Sequence, residues 1–297
     1  MSCFCDLHVH STRSDGTVTP AEVVRLAREA RLDAVALTDH DTLDGVAEAA
    51  DAGARLGIRV IPGVELSLPH EGTFHMIVLG GDPSNPELLR VAAELRDGRG
   101  PRNQEIVDRL RAHGMDITID EVRAEARGDV VARPHIARVL VRKGIVRSLQ
   151  DAFDIWLAKG RPAYVDRVRV TLDEAVAAAH ACGGATVVCH PHTLGYTDDA
   201  AYAAFFDRCR VAGVDALEVR TGRGTKSDER RWESFAAASG LLRSGGSDFH
   251  GDVKPDLKIG SGRGRLRVPT EWLEALLAQA NERRTGHGDA ATAQPVA

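Results

Sequence analysis

The chain has 297 residues, of which 43% are hydrophobic, 27% charged and 4% aromatic, and its formal net charge is −5. This is the composition of a soluble globular protein, long enough for one large domain or one domain with an insertion. No apolar run approaches the roughly 20 residues of a membrane span, and cleavage of a leader of about 15 to 30 residues would remove the first motif of the chain, so a cytoplasmic protein is expected.

The first element is Asp6-Leu7-His8-Val9-His10. Polar and apolar residues alternate, which predicts a β-strand with both imidazoles on one face. Two adjacent rings repel when protonated, so the pair suits neutral imidazoles sharing a cation. A helix follows over "TPAEVVRLAREARL", with Thr19 as N-cap, Pro20 at its first position and Glu22 completing a capping box. "AVALTDH" reads as a buried strand, "LDGVAEAADAGARLG" as a helix ended by Gly57, and "RVIPGVELSL" and "TFHMIVLGG" as strands before a helix from about Pro86. Further on, "ATVVCHP", "ALEVRTG" and "LRSGGSDFH" read as strands, with helices starting near Thr171, Asp198 and Lys226. Strand–helix repetition of this kind predicts an α/β fold with a parallel sheet, open or closed into a barrel.

Residues 96–165 break the rhythm. "NQEIVDRLRAHG", "IDEVRAEAR", "PHIARVLVRKG" and "SLQDAFDIWLAKG" read as successive short helices. The expected organisation is a discontinuous barrel domain, 1–95 with 166–283, a helical insertion at 96–165 and a disordered tail at 284–297. Residues 96–170 hold 16 basic and 11 acidic side chains, a net +5, which leaves −10 for the rest. An acidic body under a basic cap suggests an anionic substrate held between them. The five cysteines (Cys3, Cys5, Cys182, Cys189, Cys209) are odd in number and form no CxxC pair, so they read as small buried residues of a reduced protein.

Ionisable residues recur at the ends of the predicted strands: Asp39, His40 and Asp41 in "ALTDHD", Glu65 in "IPGVELS", His75 in "FHMIVLG", His190 in "VVCHPHT", and Asp248 and His250 in "GGSDFH". In α/β sheets and barrels the C-terminal strand ends converge and carry the sites. Repetition over so many strands points to a multinuclear metal site.

These motifs, in order DLHVHSTRSDG, TDHD, GVE, the histidine of FHMIVLG, HPH and GSDFH, resemble the PHP (polymerase and histidinol phosphatase) family within the amidohydrolase-like metal-dependent phosphoesterases. "ARPHIARVL", "GRPAYV" and "GGSDFHG" are similar to the stand-alone subgroup that removes the 3′-phosphate of nucleoside 3′,5′-bisphosphates and degrades short RNA from its 5′ end. The resemblance implies a distorted (β/α)7 TIM-like barrel and two to three divalent ions, with manganese first and iron or zinc as alternatives. It implies that His8, His10, Glu65 and Asp248 hold one ion, and that Glu65 bridges to a second ion completed by His75 and His190. Asp15, His40 and His250 would hold a third, with Asp15 standing where several members carry histidine.

Water acidified by such ions attacks phosphorus as hydroxide, so no protein nucleophile is expected, and neither GxSxG nor a P-loop is present. Asp39 and Asp41 are expected to orient His40. Arg133, His135, Lys159 and Arg161 are the expected phosphate contacts from the insertion. Tyr164 either stacks on a base or closes the cap against the barrel, and His192 supports the site. His70, His113, His180 and His287 read as surface residues. The expected partners are a nucleotide or a short RNA, with no membrane and no obligate protein partner. Two other readings stand beside this one: a phosphatase of a small phosphomonoester such as histidinol phosphate, and a non-catalytic metal-binding module. The intact ligand series argues against the last.

Overall fold

The computed structural model describes residues 3–97, 99–126, 131, 133–165 and 170–291. Apolar and β-branched runs become strands β1 (Phe4–Val9), β2 (Ala34–Leu37), β3 (Arg59–Leu68), β4 (Phe74–Leu79), β5 (Ala185–Val188), β6 (Ala216–Thr221), β7 (Leu242–Gly246) and the short β8 (Val268–Pro269). They form one sheet in the order β7-β6-β5-β4-β3-β2-β1-β8. Its two sides approach beyond β7. The Asp248 N–H donates to the His8 carbonyl at 2.9 Å, the His10 N–H donates to the Phe249 carbonyl at 2.9 Å, and Val9 and Phe249 form a parallel bridge. The sheet is therefore an α/β barrel, nearly closed at the end that carries the histidines. Only glycine fits where β7 meets β1: a Cβ on Gly246 would lie 2.2 Å from the Cβ of His8.

Not all the strands are parallel. β3 turns directly into β4 through residues 69–73, with no intervening helix, and β4 runs antiparallel to both β3 and β5. β8 pairs antiparallel with β1. The antiparallel course of β4 places its N-terminal end, with His75 as second residue, at the same rim as the C-terminal ends of β2 and β5, which accounts for a histidine near the start of that strand.

The helices largely follow their local signals. α1 (Pro20–Glu29) has Thr19 accepting the Glu22 N–H at 3.2 Å, but the Glu22 carboxylate turns to Arg25 rather than completing a capping box. α2 (Val46–Leu56) ends at Gly57 in the left-handed conformation, with φ 66°. After α3 (Pro86–Asp97), residues 99–157 supply α4 (Arg99–Ala112), α5 (Ile119–Ala126), α6 (Arg133–Arg142), α7 (Leu149–Ala152) and a π-helical turn at Phe153–Leu157. Ile106, Leu110, Ile117, Val122, Ile136, Leu140 and Leu157 are fully buried in a cluster of their own. The barrel returns with α8 (Leu172–Ala181), which does carry a complete capping box between Thr171 and Glu174, and with α9 (Asp199–Val211) and α10 (Lys226–Ser239). The larger core, including Leu7, Leu66, Met76 and Phe206, lies between the sheet and these helices.

The last helix, α11 (Thr270–Ala291), passes position 284, where a disordered tail was expected. Near that point Arg283 is anchored on the buried Asp215 and donates to the Gly184 carbonyl at 3.0 Å. Residues 292–297 lie outside the described residues. Cys3 is exposed, and the other four cysteines are buried. No helix among the described residues is long and apolar enough to cross a membrane.

Candidate metal centre

The geometry starts from Glu65, a carboxylate 1% exposed within an otherwise apolar strand. Its Oε2 lies 3.3 Å from His8 Nε2, 3.1 Å from His10 Nε2 and 3.1 Å from His40 Nδ1. Its Oε1 lies 2.9 Å from His75 Nδ1, 2.8 Å from His190 Nε2 and 3.2 Å from Cys189 Sγ. Each oxygen thus faces its own group of donors. Alternation along β1 brings the Nε2 atoms of His8 and His10 to 3.1 Å. Pairing of His75 with Ser67 puts His75 on the Glu65 face of the β3–β4 hairpin.

The remaining predicted ligands close around this core. Asp15 Oδ1 is 3.2 Å from His250 Nε2, and Asp15 Oδ2 is 3.7 Å from His40 Nε2. Asp248 Oδ1 is 3.6 Å from His8 Nε2 and 3.3 Å from His250 Nδ1. Donor atoms mutually within 4.8 Å fall into four overlapping sets: His8, His10 and Asp248; His40, Glu65 and His75; His8, Glu65, Cys189 and His190; and His10, Asp15, His40 and His250. The fold brings together all nine residues picked out as ligands. His8, His10, His40 and Glu65 each belong to more than one set.

Two observations show that the cluster fits divalent cations. Glu65 Oε2 and His40 Nδ1 are buried and make no hydrogen bond, a costly arrangement unless a cation takes up the lone pairs. His190, Asp248 and Asp41 also adopt φ of 30°, 55° and 52°, backbone strain that clusters at this rim. The electrostatics agree. Burial would raise the Glu65 carboxyl, but His40, His8 and His75 hold it well below the usual carboxylate range. Burial likewise opposes ionisation of Asp15 and Asp248, yet His250 and His40 depress the first and Lys254 and His250 the second. Burial, with His250 beside it, lowers His10 to about 4, and burial lowers His40 strongly as well. The centre therefore presents ionised carboxylates and neutral His10 and His40, while Glu65 and Glu218 raise His8 and Asp15 raises His250 against their burial, so a cation binding there would displace protons from those two rings.

Several supporting residues escaped the sequence reading. Glu218, 1% exposed on β6, lies 3.1 Å from His8 Nδ1 and accepts the His190 N–H at 2.5 Å. It fixes the His8 ring so that Nε2 faces the cluster. Its signal was the one that marked Glu65, a carboxylate inside an apolar strand. Cys189, read only as a small buried residue, places its thiol in the donor set. Lys254 contacts Asp248 Oδ2 at 2.5 Å. Asp39 accepts from the Ser11 backbone, the Ser11 hydroxyl and the Ser14 hydroxyl at 2.6–2.7 Å, so it ties down the loop after His10. Asp41 accepts the Ser67 N–H at 2.8 Å, and its own N–H donates to the Glu65 carbonyl. Both aspartates brace the backbone on either side of His40. His180, expected at the surface, is partly buried with Nε2 3.8 Å from Asp215.

The donor cluster floors a cavity of about 710 Å³. Its described cationic lining is Arg138 from α6, Arg223 and Lys254, together with His192. None of the four expected phosphate contacts is among the described residues that line this cavity. Arg133 donates to the Leu157 carbonyl at 3.1 Å and lies 5.6 Å from the centroid of the Tyr164 ring. His135 is buried in α6, on the side away from solvent. Lys159 pairs with Glu71 at 3.3 Å, and the Arg161 N–H closes a turn on the Ala158 carbonyl. The physical reason is helical phase. With Pro134 at the cavity, the next residue of α6 to reach it is Arg138, one turn on, while His135 falls on the buried face. Tyr164 takes the interface role rather than lining the metal cavity.

The PHP domain model matches residues 6–98, the segment that carries six of the nine expected ligands, His8, His10, Asp15, His40, Glu65 and His75. A 3′,5′-nucleoside bisphosphate phosphatase of Chromobacterium violaceum is 36% identical over 249 residues, covering 82% of this chain and 86% of that protein. The chain belongs to the PHP family. Another relative, the 5′-3′ exoribonuclease Rnm of Escherichia coli, is 33% identical over 248 residues, covering 82% of this chain and 84% of that protein. Two solved structures share the fold. One, assigned to the metal-dependent phosphoesterases and from Bifidobacterium adolescentis, has a TM-score of 0.77 and 30% identity, covering 94% of this chain and 97% of that one. The other, an amidohydrolase from Chromobacterium violaceum with bound sulfate and no metal, has a TM-score of 0.76 and 34% identity, covering 84% and 88%. As a PHP protein the chain is a metal-dependent phosphoesterase, with a His, Glu and Asp cluster suited to metal.

Proposed function

We propose that this protein hydrolyses the 3′-phosphate of nucleoside 3′,5′-bisphosphates and trims 5′-phosphorylated RNA one nucleotide at a time, using two to three divalent ions. The observation that carries the reading is the placement of Glu65, one buried carboxylate whose two oxygens face separate histidine groups, beneath a cavity edged by Arg138, Arg223 and Lys254. His8, His10, Glu65 and Asp248 are assigned to one ion, Glu65, His75 and His190 to a second, and Asp15, His40 and His250 to a third. Bound ions of this kind acidify water and offset charge on the phosphoryl oxygens. His and carboxylate donors suit manganese, iron or zinc, and we assign manganese as the working ion.

The protein's own residues set the substrate. Arg138 lies on the cavity wall with no ion-pair partner among the described residues, so its fork is available to a second phosphate. A bisphosphate gripped by its 5′-phosphate on Arg138 presents its 3′-ester to the metal cluster. Water adds to phosphorus, the P–O3′ bond breaks, and the 3′-oxygen leaves with a proton. When the same phosphorus continues into RNA, the shortened strand keeps a 5′-phosphate and re-enters the cycle. Glu218 and Asp39 hold the ligand-bearing elements still through these steps.

The test is a panel assay with Mn²⁺ supplied, comparing adenosine 3′,5′-bisphosphate, 5′-phosphorylated oligoribonucleotides and histidinol phosphate. Preference for the first two by at least tenfold in kcat/KM is expected. Preference for histidinol phosphate would overturn the substrate assignment.

A further inference from the structure

Next to the metal cavity lies a second one, of about 850 Å³, between the β6–α10 loop and residues 263–266. Thr221, Gly222 and Arg223 line both, so the two cavities are contiguous across that loop. The loop is held close: Arg263 donates its N–H to the Gly222 carbonyl at 3.0 Å, and any Cβ on Gly222 would lie 2.0 Å from the Ser247 carbonyl oxygen. The second cavity belongs to the barrel; no described residue of the helical insertion lines it.

Its chemistry is cationic. Arg223, Lys226, Arg263 and Arg265 are exposed along it, with Glu229 as its acidic residue, and Glu229 is engaged by Arg220. Asp256 pairs with both Arg223 and Arg263, at 2.9 and 2.8 Å, and so ties the two guanidiniums to one another. Lys226 and Arg265 make no ion pair among the described residues. The cavity also receives the N-terminus of α10, capped by Thr225, whose dipole adds positive potential. This positive strip runs along a body whose charge outside residues 96–170 is −10. No aromatic side chain among the described residues lines it.

We infer that this second cavity holds the RNA strand on the 3′ side of the scissile ester, gripping its phosphates through Arg223, Lys226, Arg263 and Arg265. The inference rests on the 3′-phosphoesterase reading above and adds a site that a bisphosphate does not need. With cations and no stacking platform, the grip is by charge alone, so it is indifferent to base and sensitive to salt. The two ends of the substrate are then read by different parts of the protein: the 5′-phosphate by Arg138 of the insertion, and the trailing strand by the barrel rim.

The experiment compares kcat/KM for adenosine 3′,5′-bisphosphate and for 5′-phosphorylated oligoribonucleotides of two to five nucleotides, in the wild-type protein and in Lys226→Ala/Arg265→Ala. The wild type should gain with length. The double variant should lose roughly tenfold or more on the pentanucleotide, and its salt slope should fall by about 0.7 per phosphate contact removed, while the bisphosphate changes less than twofold. Unchanged thermal unfolding would exclude misfolding as the cause. Undiminished activity on the pentanucleotide overturns the inference. If the bisphosphate is hydrolysed and no oligonucleotide is, the tail site is wrong and the phosphatase reading stands. If nothing is hydrolysed, the function reading fails, and fluorescence anisotropy with the pentanucleotide judges the cavity directly: weaker binding by the variant upholds it, and equal binding overturns it.

Discussion

Replacing Glu65 by Gln should cost the protein two ions at once. The carboxylate presents Oε2 to His8, His10 and His40 and Oε1 to His75 and His190. The amide nitrogen of Gln has no lone pair to offer, so one side loses its ligand, and both sides lose the negative charge that offsets the ions. Metal bound only by the folded state stabilises it by about 2.7 kcal/mol per site at a hundredfold excess over Kd. Two sites are then worth about 5 kcal/mol, and chelator should lower the wild-type melting temperature by roughly 10–20 °C at about 2–4 °C per kcal/mol. The Glu65→Gln protein should melt near the chelated wild type and respond little to chelator. Elemental analysis should show two fewer ions per chain, whereas Asp15→Ala should lose one. A Glu65→Gln protein that keeps its full metal content, or loses a single ion while the other binds as before, would refute the shared-ligand reasoning.

Other expectations follow from the same geometry. Arg138→Ala should raise KM for adenosine 3′,5′-bisphosphate ten- to a hundredfold, from the roughly 1.5–3 kcal/mol of a charged contact, with less than threefold change on an aryl phosphate. Arg133→Ala, by contrast, should lower the melting temperature through its lost contact with Leu157 and leave that KM within about threefold, as steady-state kinetics on both variants would show. Gly246→Ala should destabilise by about 3 kcal/mol or more, because its Cβ would overlap His8, and a urea midpoint compared with the wild type reads this directly. Asp215, buried and paired with Arg283, is held at about 2 despite burial, by His180 and Arg283. A depressed carboxylate contributes above its unfolded value and loses that contribution as pH falls towards its folded one. In the metal-free protein Asp215→Asn should therefore cost roughly 2 kcal/mol at pH 7, and the gap to wild type should close between about pH 4 and pH 2, as urea unfolding across that range would reveal.

The clustering of the nine candidate residues was legible because they are chemically out of place: imidazoles and carboxylates inside or just beyond apolar strands need a reason to be there. Strand positions were legible from the same apolar runs. The direction of β4 was not, because period-two alternation carries no sign of parallel or antiparallel pairing. Its clue was the five-residue connection after β3, too short for a crossover helix. Glu218 was missed although it carries the same mark as Glu65, since it lies outside the motifs. Arg138 was not picked out because a basic motif names residues without the helical phase that puts Arg138, and not Arg133, on the cavity wall. The second cavity was invisible in sequence. Residues 223–226 and 263–265 meet only after the barrel closes.

The most direct test of the whole account is product analysis with adenosine 3′,5′-bisphosphate. If the 5′-phosphate is anchored away from the metals and the 3′-ester is set over them, adenosine 5′-monophosphate and inorganic phosphate accumulate in equal amounts. Accumulation of adenosine 3′-monophosphate instead would contradict it.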